Sequence, residues 1–450
     1  MKTEKLKQNV KGYVQQFEDG GLRLLRKGQK GVIHAIFSRF GLVLILLLLQ
    51  VGLLFSIFRW FGNLWPHYFG GSVVVTSAMV IYLLNSKMDN SAKITWMVVV
   101  AIAPVVGIPM FFYVKSNFGH NILRKRLLEL EDQLRGWLPQ SQKAVEQLKA
   151  LEPGAASLAK YLYGRGGGFP VYQNTAMTYF PGGEAKFEEL LRQLETAEEY
   201  IFVEYFIIDE GLMWGKILEV LARKALQGVD VRVMYDGTCE FSTLPRNYPR
   251  LLEKLNIQCK VFSPVQPFVS THYNYRDHRK ILVIDGRVGF TGGVNLADEY
   301  INHIQKHGRW KDAAVMLEGE AVRSLTAQFL QMWGILKEPE YEQFLTRPIP
   351  VPENAKGVAA PYGDCPLDGE RVGEMVYIDL LNRARDYIHI MTPYLILDGE
   401  LETALKFAAE RGVDVHLILP GKPDKQFPYA LAKSHYSALL DSGVKISEWS

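Results

Sequence analysis

Three long apolar segments stand near the beginning of the chain, at residues 41–58, 65–84 and 94–114. Each approaches the ~20 apolar residues that a helix needs to cross the hydrocarbon core of a bilayer. The third contains Pro104 and Pro109, and we expect a kink at one of them because proline cannot donate a helical hydrogen bond. Any one segment fits a buried helix of a soluble core equally well. Three in succession favour a membrane region with two or three transmembrane helices over residues 41–114.

The sequences on both sides of this region are basic. Residues 1–40 carry nine lysines and arginines against three acidic residues, and we expect this arm to lie against anionic lipid headgroups. Lys115, Arg124, Lys125 and Arg126 follow the third segment, so the positive-inside rule does not decide which side of the membrane carries the rest of the chain. The predicted location is a cell membrane that the chain crosses more than once.

Residues 115–167 predict a connector with helical periodicity. The sequence LLELEDQLRGWL places leucines on one face of a helix among charges of both signs. Glu152, Pro153 and Gly154 interrupt this pattern. We expect the connector to rest on the membrane or on the globular body that follows it.

From residue 168 the pattern changes to short apolar strands that alternate with amphipathic helices, and it contains a repeat. Residues 197–237 match residues 384–421, because each segment reads as strand, helix and strand. This order is typical of a parallel βαβ unit with a right-handed crossover. A helix and a strand then follow in both copies, at residues 251–262 and 439–449.

The predicted fold class is therefore α/β. Amino-terminal transmembrane helices are followed by two duplicated α/β lobes, one at residues 168–350 and one at residues 351–450. In the first lobe a hairpin follows the repeat, whereas in the second lobe the sequence stops at Ser450. The repeat thus leads us to expect a second hairpin beyond residue 450 and a chain that is truncated at its carboxyl terminus. The alternative is an enzyme with one hairpin that works as a dimer.

The hairpin in the first lobe has the sequence DHRKILVIDGRVGFTGGVN, at residues 277–295. Its first apolar run, at residues 281–284, predicts a strand buried on both faces, and residues 288–291 predict a second strand after a tight turn. His278 and Lys280 are separated by one residue, so an extended backbone presents them on the same side.

These side chains suit displacement at a phosphodiester. A neutral imidazole can attack phosphorus, while a cation and amide groups stabilise charge on the phosphoryl oxygens, and no metal is required. The alternative is that His278 and Lys280 are solvated residues of an edge strand. Asp285, Gly292, Gly293 and Asn295, which follow in the same hairpin, favour a site.

Composition narrows the class of partner. The formal charge is +3, with 51 basic and 48 acidic residues, so nothing in the whole chain indicates a basic stripe for nucleic acid. Cys239, Cys259 and Cys365 are far apart and lack the spacing of metal ligands. We expect ordinary thiols and no disulfide framework.

The motif H-x-K-x4-D-x6-G-G-x-N resembles the HKD motif of the phospholipase D superfamily. Within that superfamily the chain looks most similar to the bacterial cardiolipin synthases. The stretches that carry this resemblance are GFPVYQNTAMTYFPGGEAKFEELL, IFVEYFIIDEG, YRDHRKILVIDGRVGFTGGVNLADEY, GRWKDAAVMLEGEAV and TPYLILDGEL. The departure from the family pattern is the missing second HKD motif.

The resemblance implies transfer of a phosphatidyl group between two phosphatidylglycerol molecules, which gives cardiolipin and glycerol. His278 would form the covalent intermediate while a second His acts as acid and then as base, and these two roles could be exchanged. Lys280 and Asn295 would bind the non-bridging oxygens, and Asp285 would hold the local geometry. Glu204 would fix the tautomer of a catalytic imidazole or pair with a lysine of the core. The paired residues Gly292 and Gly293 would allow a close approach of the backbone.

The same resemblance implies no cofactor and no metal, phosphatidylglycerol and cardiolipin as lipid partners, and no nucleic acid. It leaves the oligomeric state open. Two other functions also fit the motif. One is a membrane-bound phospholipase D that hydrolyses phospholipid to phosphatidic acid, and the other is an inactive membrane scaffold, if the chain truly ends at residue 450. A nuclease would share the chemistry, but three apolar segments argue against it.

Overall fold

The computed structural model describes residues 65–115, 118–263, 276–306 and 308–449, together with Gln15, Gln16, Leu22, Arg23, Leu48 and Gly52. The described chain forms two compact units. One unit comprises residues 28–122 and 266–274, and the other comprises residues 1–27, 123–265 and 275–450. Within the second unit, the two-residue strands β1 (Gln15–Gln16) and β2 (Leu22–Arg23) pair in antiparallel fashion. The basic arm and the predicted segment 41–58 otherwise lie outside the described residues.

The smaller unit contains helices α1 (Trp65–Leu84), α2 (Asn90–Ile102) and α3 (Pro104–Lys115). Helix α1 matches the second apolar segment. The prediction of one kinked helix over residues 94–114 is wrong, because helix α2 ends before Ala103 and helix α3 begins at Pro104. Proline lacks the N–H that would continue the first helix. A Cβ added at Gly107 would lie 3.2 Å from Val100 Cα, so the chain bends sharply and the two helices pack against each other.

Among the helices of the described residues, none combines the length and the apolar character that crossing a bilayer requires.

The connector forms helices α4 (Phe118–Trp137), α5 (Gln142–Leu151) and α6 (Pro153–Gly164). The break predicted at Glu152 is confirmed, because Glu152 ends α5 and Pro153 opens α6. On α4, Leu127 and Leu134 are buried in the same core cluster as Phe202 of the globular body. Of the two surfaces that could receive this apolar stripe, the globular body is therefore the one that the structure shows.

The first lobe is built on a seven-stranded sheet with the order β3-β9-β8-β7-β4-β5-β6. Strands β4, β5 and β6 are parallel, whereas β7, β8, β9 and β3 are joined by antiparallel pairings. The strands are β3 (Thr175–Phe180), β4 (Tyr200–Tyr205), β5 (Asp230–Asp236), β6 (Gln258–Phe262), β7 (Lys280–Ile284), β8 (Val288–Gly292) and β9 (Ala314–Gly319). The predicted hairpin is confirmed, since Leu282 pairs with Phe290 and Ile284 with Val288.

Helices cover both faces of this sheet. They are α7 (Gly183–Leu194), α8 (Leu212–Leu226), α9 (Cys239–Ser242), α10 (Tyr248–Glu253), α11 (Val322–Trp333) and α12 (Tyr341–Leu345), with a 3-10 turn at Gly334–Leu336. Side chains alternate between the faces along β4, so Ile201 and Val203 enter the core that α7 and α8 close. Phe202 points to the other face, where its ring stacks on Phe329 of α11 at 4.4 Å.

The second lobe contains α13 (Val372–Arg383), β10 (Tyr387–Met391), α14 (Gly399–Glu410), β11 (Asp414–Pro420), α15 (Gln426–Asp441) and β12 (Lys445–Trp449). Its three strands pair in parallel in the order β10-β11-β12. The βαβ units predicted from the repeat are therefore present in both lobes, with β4, β5 and β6 corresponding to β10, β11 and β12.

Asp285 joins the turn of the hairpin to the start of β4. Its carboxylate accepts hydrogen bonds from the backbone N–H groups of Glu198, Glu199 and Tyr200 at 2.8 to 2.9 Å. The residue has φ of 49°, a left-handed conformation that aspartate tolerates better than most side chains. One side chain thus fixes where β7 ends relative to where β4 begins.

Replacing Asp285 with alanine should destabilise the first lobe by about 2 kcal/mol, because three backbone N–H donors, two exposed and one partly buried, lose a charged acceptor. Urea unfolding measures this free energy. Glu188→Ala removes an exposed acid from α7 and serves as the control, with an expected change below about 0.5 kcal/mol. Equal midpoints for the two variants would contradict the role assigned to Asp285.

Candidate functional site

The end of β7 that carries His278 and Lys280 lies beside the carboxyl ends of β4 and β5. This follows from the antiparallel pairing of β7 with β4, in which Lys280 is opposite Tyr205. In α/β sheets, ligands bind at the carboxyl ends of the parallel strands. The motif therefore lies at the edge of the sheet where a site is expected, and Asp285 lies at the other end of the same strand.

His278 and Lys280 are in direct contact. The Lys280 ammonium lies 3.1 Å from His278 Nδ1 and donates to the His278 carbonyl at 2.6 Å. The imidazole also packs on Phe206, with 4.5 Å between the ring centroids. His278 remains exposed to solvent, whereas Lys280 is only 5% exposed. A ligand in solution can therefore reach the imidazole, while the buried ammonium of Lys280 contacts it from the protein interior.

Burial and nearby charges shift both groups toward their neutral forms. Partial burial, followed by the charges of Lys280 and Lys425, lowers the pKa of His278 to about 4. Burial lowers the pKa of Lys280 to about 8, although the carboxylates of Asp277 and Asp312 oppose this shift. At neutral pH the imidazole is therefore uncharged and available as a nucleophile, while most of Lys280 is still a cation.

The contact between the two side chains also bears on the imidazole tautomer. An ammonium group only donates hydrogen bonds, so Nδ1 of His278 acts as the acceptor and the ring proton is on Nε2. Attack through Nε2 requires the other tautomer. Lys280 must then leave Nδ1, for example to bind an anion.

Lys186 and Asp312 are two charged residues near Lys280 that were not predicted from the sequence. Lys186 of α7 donates to the Tyr205 hydroxyl at 2.9 Å and to the Val294 carbonyl at 3.2 Å. Burial lowers its pKa to about 7, and the charge of Asp312 opposes this shift. The available signal was the helical spacing of Lys186 and Leu190, which places the lysine on the buried stripe of α7.

The glycine pair makes room for Asp312 and its neighbours. A Cβ added at Gly293 would overlap the Asp312 carboxylate, and one added at Gly292 would lie 2.6 Å from Ala314 Cα. Gly292 also has φ of 142°, which favours glycine. The close approach predicted here is therefore between β8 and the segment before β9. It brings Asp312 to the two lysines whose pKa values it influences.

The side chain of Asn295 is engaged within the protein. Its Nδ2 donates to the Tyr300 hydroxyl at 2.8 Å, and its Oδ1 accepts from the Ile207 backbone N–H at 3.1 Å. The residue is 3% exposed. In this arrangement Asn295 fixes the loop after β4, which carries Phe206 and thereby supports the imidazole.

Glu204 lies on the other face of β4, in the core beneath α11, and is 0% exposed. The charged groups that face it are Asp277, within hydrogen-bonding reach, and Arg279, whose Nη1 is 3.8 Å from Oε1. The structure thus brings His278 and Lys280 together, and it places Glu204 beneath the segment that leads into them.

The second lobe reaches the same region. Lys425 at the start of α15 is close enough to lower the pKa of His278, and the Tyr394 hydroxyl donates to Asp424 at 2.5 Å. A cleft of about 270 Å³ lies between the lobes, lined by Trp310, Lys311 and Asp312 of the first and Thr392, Lys422 and Asp424 of the second, among others. His278 and Lys280 do not line it, but Asp312 connects it to Lys280.

Comparison with known proteins identifies the family. The protein family described as "Cardiolipin synthase, PLD-like domain" matches residues 190–333 and 377–450. A cardiolipin synthase from Geobacillus kaustophilus is 34% identical over 383 residues, which cover 84% of this chain and 74% of the relative. The chain belongs to the cardiolipin synthase family. It is accordingly a phosphatidyltransferase of the phospholipase D superfamily.

Two further similarities accompany this assignment to the cardiolipin synthase family. An uncharacterized protein from Streptococcus mutans is 55% identical over 371 residues, which cover 82% of this chain and 80% of the relative. Among solved structures, phosphatidylserine synthase from Haemophilus influenzae covers 60% of this chain and 69% of its own, with a TM-score of 0.40 and 14% identity.

In this member of the cardiolipin synthase family, Lys280→Met should raise the pKa of His278 from about 4 toward its ordinary value, because a neighbouring positive charge is removed. Histidine ring resonances, followed by NMR against pH and assigned with a His278→Gln variant, give the measurement. Lys425→Met is the matched control and should produce a smaller rise. A pKa of His278 that is unchanged in Lys280→Met would contradict the electrostatic coupling of the two residues.

Proposed function

We propose that the chain transfers a phosphatidyl group from one phosphatidylglycerol molecule to another, giving cardiolipin and glycerol. The observation that carries the proposal is the contact of a neutral, exposed imidazole with a buried ammonium group 3.1 Å away. Membership of the cardiolipin synthase family supports the choice of lipid. A neutral imidazole supplies the nucleophile, and the ammonium stabilises the charge that develops on the phosphoryl oxygens.

In the first step, the imidazole of His278 attacks phosphorus, an N–P bond forms, and the bond from phosphorus to the glycerol oxygen breaks. Glycerol leaves with a proton from a general acid on the opposite side of phosphorus. The resemblance to the superfamily assigns that acid to a second His. Before this attack, the phosphoryl oxygens of the bound substrate give Lys280 a stronger acceptor than His278 Nδ1, and the departure of Lys280 allows the ring proton to move from Nε2 to Nδ1.

In the second step, the terminal hydroxyl of another phosphatidylglycerol attacks the phosphohistidine. Its proton passes to the group that protonated glycerol, an O–P bond forms, and the N–P bond breaks, which restores His278. Water must be kept from the intermediate. We place the reaction at a bacterial membrane, crossed or touched by the amino-terminal region, because both lipids are then concentrated in one plane.

The remaining motif residues act as supports in this proposal. Lys280 contacts the transferred phosphoryl group, while Asp312 keeps Lys280 charged. Asn295 and Gly293 shape the backbone around these two residues, and Asp285 sets the register of the strand that carries Lys280. Nucleic acid has no place in this scheme, and no metal or other cofactor enters either step.

Phosphatidylglycerol vesicles incubated with the protein from its complete gene should yield cardiolipin and glycerol in equal amounts. Mass spectrometry of the lipids and an enzymatic glycerol assay measure the two products. Phosphatidic acid without cardiolipin would contradict the transfer reaction and favour hydrolysis. His278→Ala should lower product formation by at least about a hundredfold while the protein remains folded. Turnover within tenfold of the unchanged protein would remove His278 from the reaction.

The rate of transfer should depend on pH through the two central residues. It should fall as the pH approaches about 4, because protonated His278 cannot attack, and above about 8, because Lys280 loses its charge. Initial rates on vesicles across this range give the profile. Lys280→Arg keeps a positive charge at high pH. The transfer rate of this variant should therefore begin to fall at a higher pH than that of the unchanged protein, even if its maximal rate is lower. An unshifted decline would contradict the role of Lys280.

A further inference from the structure

A buried acidic pair lies beneath the segment that carries His278. Glu204 is on the face of β4 covered by α11, and Asp277 precedes His278 directly. Glu204 is 0% exposed and Asp277 is 3% exposed. The carboxyl groups face each other within hydrogen-bonding reach. The mechanism described above uses neither of them.

The carboxyl oxygens at this contact lack donors. Within the described ranges, no N–H or O–H group donates a hydrogen bond to either oxygen of Glu204 or to Asp277 Oδ2. Asp277 Oδ1 does accept from the Arg279 backbone N–H at 3.3 Å. Arg279 Nη1 is 3.8 Å from Glu204 Oε1, which is beyond hydrogen-bonding distance, and is directed to the Gln328 carbonyl at 3.4 Å.

Charge balance makes two carboxylates unfavourable here. Around Glu204, the positive charge of Arg279 is offset by the negative charge of Asp277. The ammonium of Lys280 also acts on Asp277, but Lys280 lies opposite Tyr205 and points to the other face of the sheet. An ionised Glu204 would therefore be an uncompensated buried charge. The strand neighbours of Glu204 are the uncharged residues Met234 of β5 and Ile281 of β7. One proton on Glu204 removes this unfavourable charge, because the resulting carboxylic acid can donate a hydrogen bond to the facing carboxylate of Asp277.

We propose that Glu204 is a protonated carboxylic acid in the working enzyme and that it donates a hydrogen bond to Asp277, which makes it a positioning residue for His278. Only the effect on catalysis rests on the proposed function. The direction of the pKa shift agrees with a protonated Glu204. Burial and then the Asp277 charge raise the pKa of Glu204 well above its ordinary value, while the charge of Arg279 opposes this shift.

The hydrogen bond would hold the segment before β7 from two sides. The Asp277 backbone N–H donates to Asp236 at the end of β5, at 3.0 Å. Its side chain would receive the proton of Glu204 from β4. The residue before His278 is thereby attached to both parallel strands whose carboxyl ends form the site, so the imidazole begins from a fixed backbone position.

Infrared difference spectroscopy on the protein from its complete gene tests the protonation state. The spectrum of the unchanged protein minus that of Glu204→Gln, taken at neutral pH, should show the C=O band of a carboxylic acid. Asp277→Asn provides a second comparison, because its amide can donate to an ionised Glu204 and the acid band should disappear. A difference spectrum that shows carboxylate bands alone would overturn the proposal. This measurement does not depend on which lipid is the substrate.

Kinetics test the positioning role. Glu204→Gln retains a donor toward Asp277 and should keep kcat within a few-fold, whereas Glu204→Leu leaves Asp277 without that donor and should lower kcat at least tenfold with little change in KM. Thermal unfolding of both variants controls for folding. It should also show that the unchanged protein, but not Glu204→Gln, loses stability as the pH rises through the raised pKa of Glu204. Equal loss of kcat in both variants would overturn the positioning role.

Discussion

The antiparallel pairing of β7 with β4 is the interaction on which the rest of the structure depends. All residues of both strands are buried, and the pair joins the parallel half of the sheet to the antiparallel half. Asp285 fixes the register at one end of β7, and Lys280 stands at the other. A slip of one residue would turn Lys280 to the opposite face of the sheet. The position of Lys280 in the site therefore depends on the register of a single strand.

The electrostatics of the site follow from that placement. Lys280 and Lys186 are both buried, and Asp312 is the acid whose charge acts on both. Burial is the main cause that lowers the pKa values of both ammonium groups, and the nearby carboxylates offset this shift only in part. An anion bound beside Lys280 would supply a further negative charge and raise the pKa of Lys280. Binding of a phosphodiester and retention of the Lys280 proton thus support each other.

Much of this architecture can be predicted from the sequence, because the signals are local. The hairpin is marked by two apolar runs around a tight turn, and the duplicated lobes are marked by the repeated strand, helix and strand. The break before Pro104 was less well predicted, since the pattern located the prolines but not the point where the helix ends. The partners of Asn295, Glu204 and Lys186 come from distant parts of the chain. Residue type alone does not say which neighbour a buried polar group will face.

The contrast between an exposed His278 and a buried Lys280 has a consequence for chemical labelling. Small electrophiles in solution can reach the uncharged imidazole, whereas the packed chain shields the amine beside it. Lysines normally dominate such labelling because they are numerous and exposed. In this site the order of reactivity is reversed, so an acylating probe of lipid-like shape would modify the histidine and spare its neighbour. Selective covalent inhibitors could be built on that difference in accessibility.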